Sequence, residues 1–243
     1  VRSWASKAGR LVCHPPLEGK RRVHTAVNHE VSAALSQLYR ELDVQIAKFQ
    51  ATTGLHCPPG CGQCCENPEV EATPLEMVPM ALEMIRRGEA ASWIDLITVA
   101  EAPGKCIFYQ ADNLIPGNGR CQMYLWRPTL CRLFGFAAVT DKSGQPKLAA
   151  CVKHKQVFPE NVAMADVAIA NGFPIPRFRD WQTRIANIDA HWGYQRMPIN
   201  VALKVAIERL SLSLSYELEN SSNAVGTGEN SALATSEEQS TQG

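Results

Sequence analysis

The sequence has no apolar run near the roughly 18–20 residues that span a bilayer, so no membrane-crossing helix is expected. It also has no basic n-region, apolar h-region and cleavage site of a secretory signal. Charge of one sign is missing as well. Lys+Arg and Asp+Glu both number 24, which removes the basic field that steers proteins to nucleic acid or to an anionic membrane. Neither is expected as a partner. The signatures of common enzymes are absent too: there is no G-x-S-x-G, no H-E-x-x-H and no basic–aromatic stripe. Pro116-Gly-Asn-Gly119 lacks both the spacing and the following helix of a phosphate loop.

The balanced charge hides an asymmetry. Residues 1–24 carry six basic side chains (Arg2, Lys7, Arg10, Lys20, Arg21, Arg22) against Glu18, and residues 217–243 carry five acids and no base. The first stretch reads as a basic flexible leader. With Ser3 and Ser6 and no initiator Met it is similar to the mature-side end of an organelle transit peptide. The second, rich in Ser, Asn, Gly, Thr and Glu, reads as a disordered acidic tail. Between them, 25–216 is expected to form one domain.

That domain reads as α+β and mainly helical. From Ala26 to Gln50, Val27, Val31, Leu35, Leu38, Leu42, Ile46 and Phe49 form one stripe of a long helix ended by Gly54. Thr73-Pro74-Leu75-Glu76 has an N-cap, a Pro at the first helical position and a capping-box Glu, and the helix it opens stops at Gly88. Glu89 to Glu101 reads as another helix, ended by Pro103-Gly104. Cys106–Tyr109 and Cys121–Leu125 read as strands of a loose hairpin, and Lys147–Lys153 as a further strand. Helices follow at about 159–170, 180–192 and 198–219.

Cysteine is what the chain has in quantity. Of nine, four fall in His56-Cys-Pro-Pro-Gly-Cys-Gly-Gln-Cys-Cys65, spaced C-x3-C-x2-C-C; Cys106, Cys121, Cys131 and Cys151 follow, and Cys13 stands alone in the leader. In a chain read as intracellular, in a reducing compartment, thiols stay free. Metal binding or thiol catalysis then explains them better than disulfides. Soft thiolates favour zinc, Cu(I) and iron–sulfur centres. Pro58 and Pro59 stiffen the loop, and Gly60 and Gly62 permit the backbone to wrap a centre. Cys61-Gly-Gln-Cys64 has thioredoxin spacing, but a long helix precedes it where that chemistry needs a strand. Cys57-x3-Cys61-x2-Cys64 has the spacing of radical-SAM enzymes, with Gln63 where those carry an aromatic. The adjacent Cys64 and Cys65 are hard to aim at one metal: they serve different metals, or one is a bystander.

Gly119-Arg-Cys121-x2-Tyr124-x2-Arg127-Pro128-x2-Cys131-Arg132, together with the C-P-P-G-C-G-Q-C-C loop, resembles the YkgJ-like cysteine-cluster family over about 55–155. That family is described as zinc- or iron-chelating, or as Fe–S-cluster oxidoreductases. It is characterised by eight cysteines, the number left here once Cys13 is set aside. The resemblance implies a metal set of Cys57, Cys61, Cys64, Cys65, Cys106, Cys121, Cys131 and Cys151. Two zinc sites, two four-iron clusters, or one of each would use eight thiolates. A flagellin lysine methylase shares the cysteine cluster, which keeps SAM among the expected cofactors.

The doublet and the wide downstream spacings (14, 9 and 19 intervening residues) are unlike paired zinc knuckles and favour a 4Fe-4S centre over zinc. Arg127 and Arg132 are candidates to offset cluster charge or to bind an acidic group, with surface ion pairs as the plain alternative. Tyr124 is a candidate to hydrogen-bond at the site, with a packed core aromatic as the alternative. His56, next to Cys57, and His154, three after Cys151, are candidate alternate ligands, though each is expected to face solvent; Met77, Met80 and Met84 are expected to fill core. The functional expectation is a metal-binding protein with redox or SAM-dependent chemistry and an electron-transfer or protein substrate partner, in the cytoplasm or an organelle. The alternative is a non-enzymatic zinc-stabilised module.

Overall fold

The computed structural model describes residues 26–100 and 104–226. The leader, Cys13, Pro103 and the tail beyond 226 lie outside the described residues. Among the described residues there are ten α-helices and three two-stranded antiparallel ribbons, so the mainly helical α+β reading holds. Among the described residues no helix is long and apolar enough to cross a membrane.

Helix α1 (Ala26–Thr53) is the spine. Its apolar stripe serves two cores in turn: Leu35 and Tyr39 enter the first, and Leu42, Ile46 and Phe49 the second. A short helix, α2 (Gln63–Glu66), lies inside the cysteine loop, where the sequence suggested only a turn. Strand β1 (Glu71–Ala72) then leads to α3 (Pro74–Arg87). The α3 cap is the one expected. Thr73 Oγ1 accepts from the Glu76 amide, the Glu76 carboxylate accepts from the Thr73 amide at 2.8 Å, and Gly88 closes the helix with φ of 73°. Helix α4 (Ala90–Val99) follows.

Next come β2 (Tyr109–Ala111) and β3 (Gly119–Cys121), paired with Tyr109 opposite Cys121. The hairpin is real but shorter than its sequence pattern, since Cys106–Phe108 is turn and Tyr124–Trp126 is a 3-10 turn. Helix α5 (Thr129–Leu133) carries Cys131. A ribbon of β4 (Ala138–Thr140) and β5 (Pro146–Leu148) precedes α6 (Val152–Val157), whose N-cap is Cys151. The strand expected over Lys147–Lys153 is thus cut short, because Cys151 turns the chain into a helix.

Helices α7 (Pro159–Ala170), α8 (Phe178–Ala186) and α9 (Ala190–Gly193) follow. The helix expected over 180–192 is two helices, since the Asp189 side chain caps a new start by accepting from the His191 and Trp192 amides. Strand β6 (Met197–Pro198) pairs with β1, and α10 (Ile199–Gly226) packs along α3. Residues 217–226, assigned to the tail from composition, continue this helix.

The first core joins α1, α3 and α10 through Leu75, Met77, Met80, Leu203 and Ile207. Fully burying such a side chain stabilises by about 1.5–3 kcal/mol. All three methionines of α3 are buried there, as core filler. Cys106 belongs to this core, and Cys65, Cys121 and Cys131 pack against it. The second core gathers Leu133, Phe136, Ala165 and Trp181 around the far half of α1. The cysteine region lies where the two cores meet.

The Thr73 cap is buried at the head of α3, so its loss is felt in the first core. Thr73→Ala should lower unfolding free energy by about 1 kcal/mol, measured by urea unfolding, with an unchanged denaturant slope.

Candidate metal centre

The cysteine loop is held by close approach, and glycine is the reason. Tyr109, from β2, lies across Gly62 and Gly119; a Cβ at either would fall 2.2 Å from its ring. The Gly119 amide donates to the Gly60 carbonyl at 2.8 Å, and Cys61 bridges to Asn118. Gly60 does take a positive φ of 70°. Gly62 does not: its N-cap φ is −112°. Its role is to seat Tyr109 rather than to wrap a centre.

All eight cysteines of the described chain are free thiols, and they line two adjoining cavities. The inner one, about 50 Å³, is walled by Cys64, Cys65, Cys106, Cys121 and Cys131 against Val70, Met80 and Phe108. The outer one, about 320 Å³, is walled by Cys57, Cys61, Cys64, Cys131 and Cys151. Asp43, Gln63, Arg127 and Arg132 complete its polar side. A wider hollow of about 680 Å³ lies beside Trp181 and Phe173, with no thiol in its wall.

Their electrostatics show how the thiols crowd one another. Burial pushes Cys106 up to about 12, and the neighbouring Cys121 and Cys64 add to the shift. Cys131 and Cys121 are raised for the same reasons, burial first. Cys64 goes the other way, to about 7, chiefly because the Cys65 thiol donates a hydrogen bond to it; Arg127 contributes as well. Cys65 is raised in consequence. Thiols so placed ionise together only if a cation offsets their mutual repulsion.

That donor chemistry fits a thiophilic metal, and so does the position of the thiols on shared walls. No ligand shell is preformed, however. Among the described residues no three His, Cys, Asp or Glu side chains are gathered as one ion's ligands.

The two candidate arginines part company. Arg132 is buried at 5% exposure. It donates to the Arg127 carbonyl (2.9 Å), the Leu125 carbonyl (2.7 Å) and the Asp43 carboxylate, and lies 4.4 Å over the Tyr39 ring. Its donors are committed to the fold, so it is not free to bind a cofactor. Arg127 donates to the Tyr124 carbonyl at 2.9 Å, stacks over the Tyr124 ring at 3.9 Å and faces Asp43 at 3.6 Å. It lines both cavities. Tyr124 is 59% exposed, so it is not a packed core aromatic; it is the platform under Arg127.

His56 is exposed, as expected. His154 is not: it is fully buried, stacked 5.1 Å from Phe136, with both ring nitrogens unpaired. Its amide donates to Cys151 Sγ at 3.3 Å. Burial lowers its pKa, so the ring is held neutral. Room for it comes from Gly135, whose φ is 82° and where a Cβ would lie 2.7 Å from the imidazole. The sequence carried one signal of this, a Gly between two Phe residues ahead of a Cys-x2-His.

Residues 56–157 match the family model described as "CxxCxxCC: Putative zinc- or iron-chelating domain". The resemblance drawn from the cysteine motifs is thus shown for this segment, which is under half of the chain. No curated protein and no solved structure matches.

The arginine assignment is measurable. Arg132→Ala should cost about 2 kcal/mol of stability, since it removes a buried guanidinium bonded to two backbone carbonyls and to the half-exposed Asp43. Arg127→Ala should cost under about 1 kcal/mol, since it loses a partly exposed pair. Chemical unfolding of the two variants reads the difference. Gly135→Ala should cost about 2 kcal/mol or more from its left-handed backbone and the imidazole clash. Combining it with His154→Ala should recover part of that cost in a double-mutant cycle.

Proposed function

We propose that the chain is an iron–sulfur protein that holds its centre through Cys57, Cys61, Cys64, Cys65, Cys106, Cys121, Cys131 and Cys151 and passes electrons to a protein partner. The observation behind this reading is the convergence of eight free thiols, from segments almost a hundred residues apart, on two adjoining cavities. The comparison with known families supports the coarser statement, a zinc- or iron-chelating domain. Iron–sulfur is favoured by the Cys64–Cys65 doublet and by the outer cavity, whose roughly 320 Å³ exceeds what one ion needs.

An iron–sulfur centre supplies one-electron chemistry when bound. The chain's own residues supply the rest. Thiolates hold the centre, Arg127 offsets their charge, and Val70, Met80 and Phe108 exclude water from the inner wall. SAM-dependent chemistry is the weaker branch. It needs an iron left open by three cysteines, whereas Cys151 shares the outer wall with Cys57, Cys61 and Cys64. The free thiols accord with a reducing compartment.

A structural zinc module is the second reading, favoured by the small, apolar inner cavity. Such a site suits a closed four-thiolate ion that completes a core.

Isolation without oxygen, followed by a visible spectrum and counts of iron, zinc and sulfide, separates these readings. A brown protein with iron and sulfide in near-equal amounts is expected. A colourless protein that holds zinc would sink the iron–sulfur proposal. Alanine at Cys57, Cys61 or Cys64 should bleach at least part of the colour; a spectrum of full intensity would remove that residue from the ligand set.

A further inference from the structure

The adjacent pair Cys64–Cys65 raises the question of how eight thiols are shared out. We propose that they hold two metal centres: an inner one on Cys65, Cys106, Cys121 and Cys131, built into the fold, and an outer, exchangeable one on Cys57, Cys61, Cys64 and Cys151. This rests on the metal-binding reading above, but not on which metal is bound.

The walls give most of the division. Cys57, Cys61 and Cys151 line only the outer cavity, and Cys65, Cys106 and Cys121 only the inner. Cys64 and Cys131 border both. Packing divides them: Cys131 packs against the first core, as Cys65 and Cys121 do, and Cys64 does not. Four thiols then fall to each side, the closed set that a zinc ion or a four-iron cluster takes. The doublet fits this division. Cys64 and Cys65 are successive residues of α2, and successive side chains on a helix fan apart by about 100°.

The two sides differ in how firmly the chain holds them. Cys106 is 7% exposed, and its amide donates to the Cys65 carbonyl. Asn200, on α10, brackets the same turn: it accepts from the Ile107 amide and donates to the Lys105 carbonyl. Cys121 sits in a strand, opposite Tyr109. An inner centre thus completes the first core. The outer thiols are tied down less. Cys57 is exposed on a loop, Cys151 caps a helix of six residues, and Asp43, Gln50, Gln63 and Arg132 stand among the apolar residues of their wall. Between the two stands Arg127, placed to offset the charge of both.

The test uses the full chain isolated without oxygen, its metal counted, then challenged with excess EDTA while the metal left on the protein is followed. Two equal fractions are expected, the outer leaving at least about tenfold faster. Cys57→Ser and Cys151→Ser should lose the fast fraction, keep the slow one and melt within about 2 °C of the parent. Cys106→Ser and Cys121→Ser should lose the slow fraction and melt lower. If those two fail to fold, the parent's release curve and the outer variants still decide. Release in a single phase, or loss of the slow fraction from an outer variant, overturns the division while leaving metal binding intact. A chain that holds no metal, and takes up none from zinc or from ferrous iron with sulfide, overturns both readings.

Discussion

The buried guanidinium of Arg132 is the constraint on which the site depends. Taking such an ion out of water costs several kcal/mol unless its donors are all met. Here they are met from three places at once: Asp43 on α1, the Leu125 and Arg127 carbonyls on the turn before α5, and the face of Tyr39. Satisfying one side chain therefore fixes the spacing of α1, that turn and α5. Cys131 is the next residue along, and Arg127 follows from the same turn. The seam between the two cores is thus held by an ion as well as by Leu38, which packs against both. Thiols lining it lose much by ionising there.

What could be read from the sequence followed what is local. The stripe of α1 and the Thr73–Glu76 cap have periods and spacings of a few residues, and both appear where they were expected. The metal segment was legible because the chemistry is carried by a rare residue type at a countable spacing. What escaped is set by partners distant in sequence. Gly62 is required by Tyr109, nearly fifty residues on. His154 is buried because Gly135 leaves room for it. Strands β1 and β6, two residues each, are too short to show a period, and are held by pairing across the whole domain. Arg132 and Arg127 look alike in sequence, five residues apart; only burial separates the cation locked into the fold from the one left on the wall of both cavities.

The glycines of the loop illustrate how a motif can be read correctly for the wrong reason. Their density suggested a backbone wrapped round a metal. Gly60 does use a left-handed conformation, yet Gly62 acts by what it lacks, a Cβ that would strike an aromatic ring. The ring belongs to β2, and β2 pairs with the strand that bears Cys121. Packing of Tyr109 into the loop thereby sets the first four thiols against the later ones. The contact that joins the two halves of the metal segment is thus one of packing and pairing within the chain itself.

The backbone also constrains the doublet. Thiols spaced C-x2-C turn back toward a common point and gather round one ion. Neighbouring thiols on a helical turn cannot both do so, because the backbone sends their side chains in directions about 100° apart. They remain close enough for Cys65 to donate a hydrogen bond to Cys64, but Cys65 borders one cavity where Cys64 borders two. A single short helix thus distributes thiols to both sides of the seam. The residue pair that looked redundant in sequence has one member on the inner wall alone and the other on both walls. Its geometry follows from the backbone alone, whichever metal the thiols hold.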